Sequence, residues 1–354
     1  YSEGCSLDRD PPYAGMWARR AGHLDRAVGV LASAATADLP ADALFSAPVG
    51  WYDAGDFGKY VNTACASAYY LMAAYESCPD MFEGDRLGIP ESGNGVPDLL
   101  DEIRMELEWL LRMQHPGEGF FYHKLVTPEH AYAKMPHQDL MPRYVTGIET
   151  GSSLAAAAVL AMAARVYMPY DSAFAVRCLD ASLKAWRWAR AHPAINTTDE
   201  STAGPSSDGD LAAAYADEFR WAATELYLSS HADSLYNFGG FLTDLTDRNA
   251  PTYRDTEPFA VFSLVRRLND VPGEADQSLL KQHFLKYASR FMLHAREHNP
   301  YRVAMGANEI FDFRTSANEI HASMGIMCLQ AYALSEDTEY LYTAIAAMDY
   351  LLGR

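Results

Sequence analysis

The chain is poor in the residues that announce several classes of protein. Only 5 of its 354 residues are cysteine. Cys5, Cys65, Cys78, Cys178 and Cys328 are odd in number and widely spaced, which argues against a disulfide framework. Basic residues are scarce: Lys plus Arg number 28 against 47 Asp plus Glu, a formal net charge of −19. Nucleic acid and anionic membranes are therefore poor partners, because phosphate recognition needs a basic patch. No apolar run approaches the roughly 20 residues that span a bilayer. A signal-peptide pattern is missing too, so the residues themselves do not reveal a compartment. Strand-like alternation is almost absent. The length still allows one large core or two ordinary ones.

What is present is mostly helical. Residues 1–50 are broken by Pro11-Pro12, Gly15, Gly22 and Pro40 and read as irregular. A helix is expected from about Phe57 to Ser77, with Val61, Ala64, Cys65, Ala68 and Leu71 on its apolar stripe. A second follows Pro97. Leu100, Ile103, Leu107 and Leu110 form its stripe, and Asp98, Asp101 and Glu102 suit its dipole as helix starters. Gly117 to Leu125 reads as a short hairpin, and 126–147 as a loop rich in Pro and His. Helices then come in pairs: 150–167 with 171–191, 210–231 with 233–239, 258–268 with 276–298, and 316–335 with 338–352. The residues alone thus predict an all-α chain of about ten helices, arranged as helical hairpins with a few short β-hairpins in loops.

One stretch carries chemistry: Trp51-Tyr52-Asp53-Ala54-Gly55-Asp56-Phe57-Gly58-Lys59-Tyr60. Two carboxylates stand three residues apart where a loop runs into a helix. Capping that helix is the ordinary use of such an Asp. The alternative is a water held and deprotonated between them, with Gly55 allowing a tight turn. Trp51, Tyr52, Phe57 and Tyr60 offer flat apolar faces of the kind on which sugar rings stack.

This stretch closely resembles the signature of glycoside hydrolase family 9, the inverting cellulases and their relatives. The run from Ile89 to Glu102, Ile-Pro-Glu-Ser-Gly-Asn-Gly-Val-Pro-Asp-Leu-Leu-Asp-Glu, resembles the family independently. The resemblance implies an (α/α)6 barrel with the active site in a cleft at one end. It implies Asp56 as general base and Asp53 as the residue that helps to hold the water, acting on a β-linked glucan such as cellulose. Trp51, Tyr52 and Tyr60 are expected at the sugar. His137 is a further candidate contact, since a family loop at this place contributes to the cleft. Arg314 stands where relatives carry a stacking aromatic, so a different or charged sugar is conceivable. Relatives include exo-acting enzymes and enzymes for amino sugars, which keeps an exo-acting glucosidase or glucosaminidase open.

The resemblance also bears on metals and on the acid. Relatives carry a structural zinc on a pattern of Cys, Cys-His and His. This chain keeps Cys5 and His23 but has Gly22 and Tyr52 at the other two places. Zinc needs four ligands, so none is expected. Asp217 and Glu218 resemble family calcium ligands, but Ala213 and Ala214 stand where small polar residues complete that site, and calcium needs six to eight oxygens. No cofactor is expected for the reaction. Inversion needs an acid roughly 6.5–9.5 Å from the base. Glu309 and Glu319 share the family's Asn-Glu context but precede Tyr350-Leu351-Leu352-Gly353-Arg354, which closes a late helix in relatives. The expectation is therefore one catalytic domain over 1–354, incomplete at its C-terminus, with the acid Glu beyond Arg354. If no acid follows, a sugar-binding remnant is the alternative. A secreted or periplasmic place is implied by the resemblance only. The oligomeric state is not legible.

Overall fold

The structure is a computed structural model that describes residues 20–84, 87–131, 133–197, 215–240, 245, 248–307, 312–313 and 317–353. The chain divides into two compact units, Tyr1–Ala216 and Asp217–Arg354, where the sequence is read as one domain.

In the first unit a small sheet is built around the Asp-bearing loop. Its strands are β1 (Val28–Val30), β2 (Leu44–Phe45), β3 (Lys59–Tyr60), β4 (Tyr122–Val126) and β5 (Tyr144–Ile148). They lie in the order β2-β1-β5-β4-β3. β1 and β5 run parallel, and the other pairs are antiparallel. The expectation of irregular chain over 1–50 and of a plain loop over 126–147 is corrected here. Strands of two to five residues carry too little alternation to be read locally, and β1 finds its partner more than a hundred residues away, Gly29 opposite Tyr144.

Four helices complete this unit: α1 (Val61–Ser77), α2 (Asp98–Arg112), α3 (Thr150–Tyr167) and α4 (Ser172–Ala191). α3 is long and apolar enough to cross a membrane by length and composition, but 94% of it is buried. Its run of alanines lets α1, α2, α4 and β4 approach it from several sides. The stripe expected on α1 is rotated. Val61, Cys65, Ala68, Tyr69 and Met72 form the buried face, while Ala64 and Leu71 are only partly covered. Alanine on both faces blurs the period from which the phase is read.

The second unit contains α5 (Ala216–Ser230), α6 (Asp233–Gly239), α7 (Glu257–Arg266), α8 (Glu274–Glu297), α9 (Ala317–Ser335) and α10 (Thr338–Leu351). α7 packs on α8, and α9 packs on α8 and α10. Ten α-helices are thus present among the described residues, close to the sequence-read ranges. Cys65, Cys178 and Cys328 are buried free thiols.

Candidate active site

The Asp pair sits in a tight turn that is pinned from below. Asp53 N–H donates to the Gly58 carbonyl (2.8 Å), and Phe57 N–H to that of Ala54 (3.1 Å). The backbone reverses at Phe57, with φ +63°, and not at Gly55 as the sequence suggests. An aromatic residue adopts this left-handed region only under constraint. The constraint is visible. Arg143 Nη1 donates to the Phe57 carbonyl (2.9 Å), and its Nε pairs with Asp25 Oδ1 (2.8 Å). Asp25 Oδ2 accepts from Lys59 Nζ (2.7 Å), which also donates to the Val49 carbonyl. Asp25, Lys59 and Arg143 are all buried. This triad anchors both ends of the loop 49–58.

The loop does not run straight into α1. β3 intervenes, and Tyr60 takes the N-cap position with no side-chain cap. Helix capping therefore does not explain Asp53 or Asp56. Asp56 Oδ1 instead accepts from the Gly58 amide within the turn (3.4 Å).

A cleft opens beside Asp53. Trp51, Tyr52 and Asp53 come from the loop, Tyr60 from the end of β3, and Thr63, Ala64 and Ser67 from the first turns of α1. Asp53 is exposed as a residue, yet its carboxyl is partly desolvated, and this raises its pKa. The Thr63 hydroxyl opposes the shift by hydrogen bonding, and the Asp56 charge adds to it. The carboxylates therefore feel each other, as a pair around one water must. Asp56 is less exposed and is held by His130, whose Nδ1 lies 2.7 Å from Oδ2.

The cleft is backed by a second buried group. Glu149 Oε2 lies 2.8 Å from His123 Nδ1 and accepts from Ser152 (2.5 Å) and Asn62 (3.3 Å), and Tyr215 donates to Oε1 (3.3 Å). The His123 ring stands edge-on to Tyr60, 6.4 Å between centroids. Burial would raise the Glu149 pKa, but His123 and the hydrogen bonds outweigh it and bring it down to about 2 from 4.5. The folded value is below the unfolded one. Its contribution, up to about 3 kcal/mol, is therefore present above pH 4.5 and lost as pH falls towards 2. Thermal melts across that window are expected to fall more steeply for the native chain than for Glu149→Gln.

A turn carrying two interacting carboxylates, a histidine on one of them and aromatic rings around a cleft now stand together. The family model for glycosyl hydrolase family 9 matches residues 8–354. The chain belongs to that family. A xyloglucan-specific endo-β-1,4-glucanase of Bacteroides ovatus is 33% identical over 365 residues, covering 100% of this chain and 62% of that protein. A cellulose 1,4-β-cellobiosidase of Acetivibrio thermocellus is 28% identical, covering 100% of this chain and 44% of the other. A solved family 9 structure from Bacteroides ovatus superposes with a TM-score of 0.87 at 33% identity, over 97% of this chain and 64% of that one. The fold class is the (α/α)6 barrel of the family. The chain spans less than two thirds of these relatives.

Trp51, Tyr52, Asp53 and Tyr60 meet at the cleft. Asp56 lies in the same turn but is not among the residues that line the cleft. His137 is on the short 3-10 turn Pro136–Gln138 and is not among the residues that line the cleft. Arg314 and Glu309 lie outside the described residues, as do Cys5, Ala213 and Ala214. Glu319 is in the first turn of α9, in the second unit. His130 went unrecognised beside His137, the other histidine of its loop, because nothing local distinguishes it.

The described residues do not fit a zinc ion. Both His23 nitrogens are engaged: Nε2 with Asp139 (3.1 Å), which makes Nδ1 the acceptor for the Tyr52 hydroxyl (2.9 Å). Burial and then the Arg143 charge lower the His23 pKa, against Asp25 and Asp139. A side chain at Gly22 would put its Cβ 2.6 Å from the Pro136 carbonyl carbon. Calcium finds little better. Asp217 and Glu218 open α5, but Asp217 Oδ2 accepts from the Thr256 amide (2.8 Å) and hydroxyl (3.2 Å). Arg220 and Arg248 both pair with nearby Glu257. Among the described residues, no three His, Cys, Asp or Glu side chains converge to hold a metal.

Proposed function

We propose that the protein hydrolyses β-1,4-linked glucan with inversion, Asp56 acting as general base and Asp53 holding the attacking water. The observation that carries this reading is the placement of both carboxylates in one anchored turn at an aromatic cleft, within a family 9 chain. Asp56 with His130 accepts the proton of the water. Asp53, three residues away in the same turn, belongs to the base side, because the acid must stand across the bond, roughly 6.5–9.5 Å from the base. Two carboxyl groups suffice for this chemistry, so no cofactor takes part. A polymeric glucan is also too large to enter a cell, which supports action outside the cytoplasm.

The xyloglucan and cellulose relatives make a β-1,4-glucan backbone the substrate to try first. The full-length gene product is to be assayed on xyloglucan, carboxymethylcellulose and cellohexaose, with chitosan oligomers as the amino-sugar control. Proton NMR of the first-formed product should show the α anomer. A β anomer, or turnover of chitosan alone, would overturn the reading.

A further inference from the structure

Three residues of α2 are devoted to two residues of the Asp-bearing loop. Glu102, Glu106 and Trp109 are spaced i, i+4 and i+7 and share one helix face. Trp51 N–H donates to Glu106 Oε2 (2.5 Å), and the Trp51 indole N–H donates to Glu102 Oε1 (3.0 Å). Gly50, at φ +84°, lies flat on Trp109; a Cβ there would sit 2.6 Å from the indole Cγ. The loop meets the helix so closely that only glycine fits.

We propose that Glu102 and Glu106 are positioning residues that clamp Trp51 as an apolar stacking platform for a pyranose ring next to Asp53. This rests on the reading of the cleft as a glycan site. The indole N–H is the one polar group of that side chain, and Glu102 uses it. What Trp51 offers the cleft is the ring system alone. A sugar that presents C–H groups from one face, as β-glucopyranose does with its hydroxyls equatorial, suits such a surface. A hydroxyl turned towards it would find no donor.

Simple packing does not account for the two carboxyls. Glu106 is fully buried, and its Oε1 has no hydrogen-bond partner. Burial pushes its pKa up to about 8, although the Trp51 amide and Lys59 pull the other way. A carboxyl there costs stability that an apolar residue would not. Orientation of the loop is what it provides in return. By position Glu102 suits a helix starter, but Pro97 is the N-cap of α2, no side chain caps it, and the acids of its first turn are Asp98 and Asp101. The other two acidic starters are engaged elsewhere: Asp98 binds Leu87 N–H and Ser92, and Asp101 binds Asn94.

The test is a double-mutant cycle in the full-length protein with cellohexaose. Glu102→Ala should raise KM about fivefold, the value of one hydrogen bond, and leave kcat within about twofold. Trp51→Phe keeps a ring but has no N–H to clamp. In that background, Glu102→Ala should therefore change KM by less than about 1.5-fold. An equal effect in both backgrounds, or no KM effect in either, would overturn the clamp. A second readout needs no substrate. In protein labelled with 5-fluorotryptophan, the Trp51 signal is the one that Trp51→Phe removes. Glu102→Ala should shift or broaden it; an unchanged signal counts against the clamp. If the parent protein neither binds nor cleaves glucans, the glycan reading fails and stacking with it. The fluorine signal would still report on the clamp separately.

Discussion

Asp56→Ala is expected to lower kcat on β-glucan by about 10³-fold or more, with KM nearly unchanged. Removing a general base costs on the order of 10²–10⁴ in rate, and no neighbour can take over. Asp53 lies three residues away in the same turn but is already burdened by desolvation and by the Asp56 charge, which raise its pKa. His130, 2.7 Å from Asp56, orients that carboxylate and cannot replace it. Asp53→Asn keeps the shape and one acceptor oxygen, so a smaller loss, about 10²-fold, is expected. His130→Ala is expected to cost least, about tenfold. Azide supplies a check on mechanism. A small anion needs no base, so with Asp56→Ala it should restore turnover and form the α-glycosyl azide. Far-ultraviolet circular dichroism must be unchanged for the rate losses to be assigned to chemistry.

Asp25→Ala is expected to destabilise the first unit by about 3–5 kcal/mol, the cost of leaving buried charges without their partner. Lys59 and Arg143 side chains are 0% and 5% exposed, so water cannot replace the carboxylate. Thermal melting should fall by on the order of 10 °C. Activity should fall too, because the same two cations hold the Val49 and Phe57 carbonyls. A triple replacement, Asp25→Leu with Lys59→Met and Arg143→Met, separates these effects. Well-packed apolar groups can restore stability where an ion triad stood, but they leave the two carbonyls unheld. Melting should recover in the triple variant while kcat stays low. If kcat recovers as well, the triad does not position the catalytic turn.

The features legible in the sequence are those that lie close along it. Asp53, Asp56 and the aromatics of 51–60 form one unbroken motif, so family and candidate chemistry could be read directly. The helix pairs could be read because 3.6-residue periodicity repeats over each of them. The described helices at 150–167 and 338–351 match the reading to within a residue, since an amphipathic or uniformly apolar run is a local property.

The rest required the tertiary structure, for one physical reason: it is made of contacts between distant residues. Arg143 reaches Asp25 across 118 positions, and Trp51 reaches Glu106 across 55. No window of sequence contains both members of either pair. The sheet behaves likewise, its strands being too short to show their period and its parallel pair joining distant segments. Even within the motif, composition pointed to Gly55 as the turning residue, whereas tertiary hydrogen bonds place the left-handed backbone at Phe57. By itself, then, the sequence determined which side chains could do chemistry and that the chain is helical. Tertiary contacts alone decided which way those side chains face: a buried salt-bridged triad sets the Asp turn, and one face of α2 grips its tryptophan.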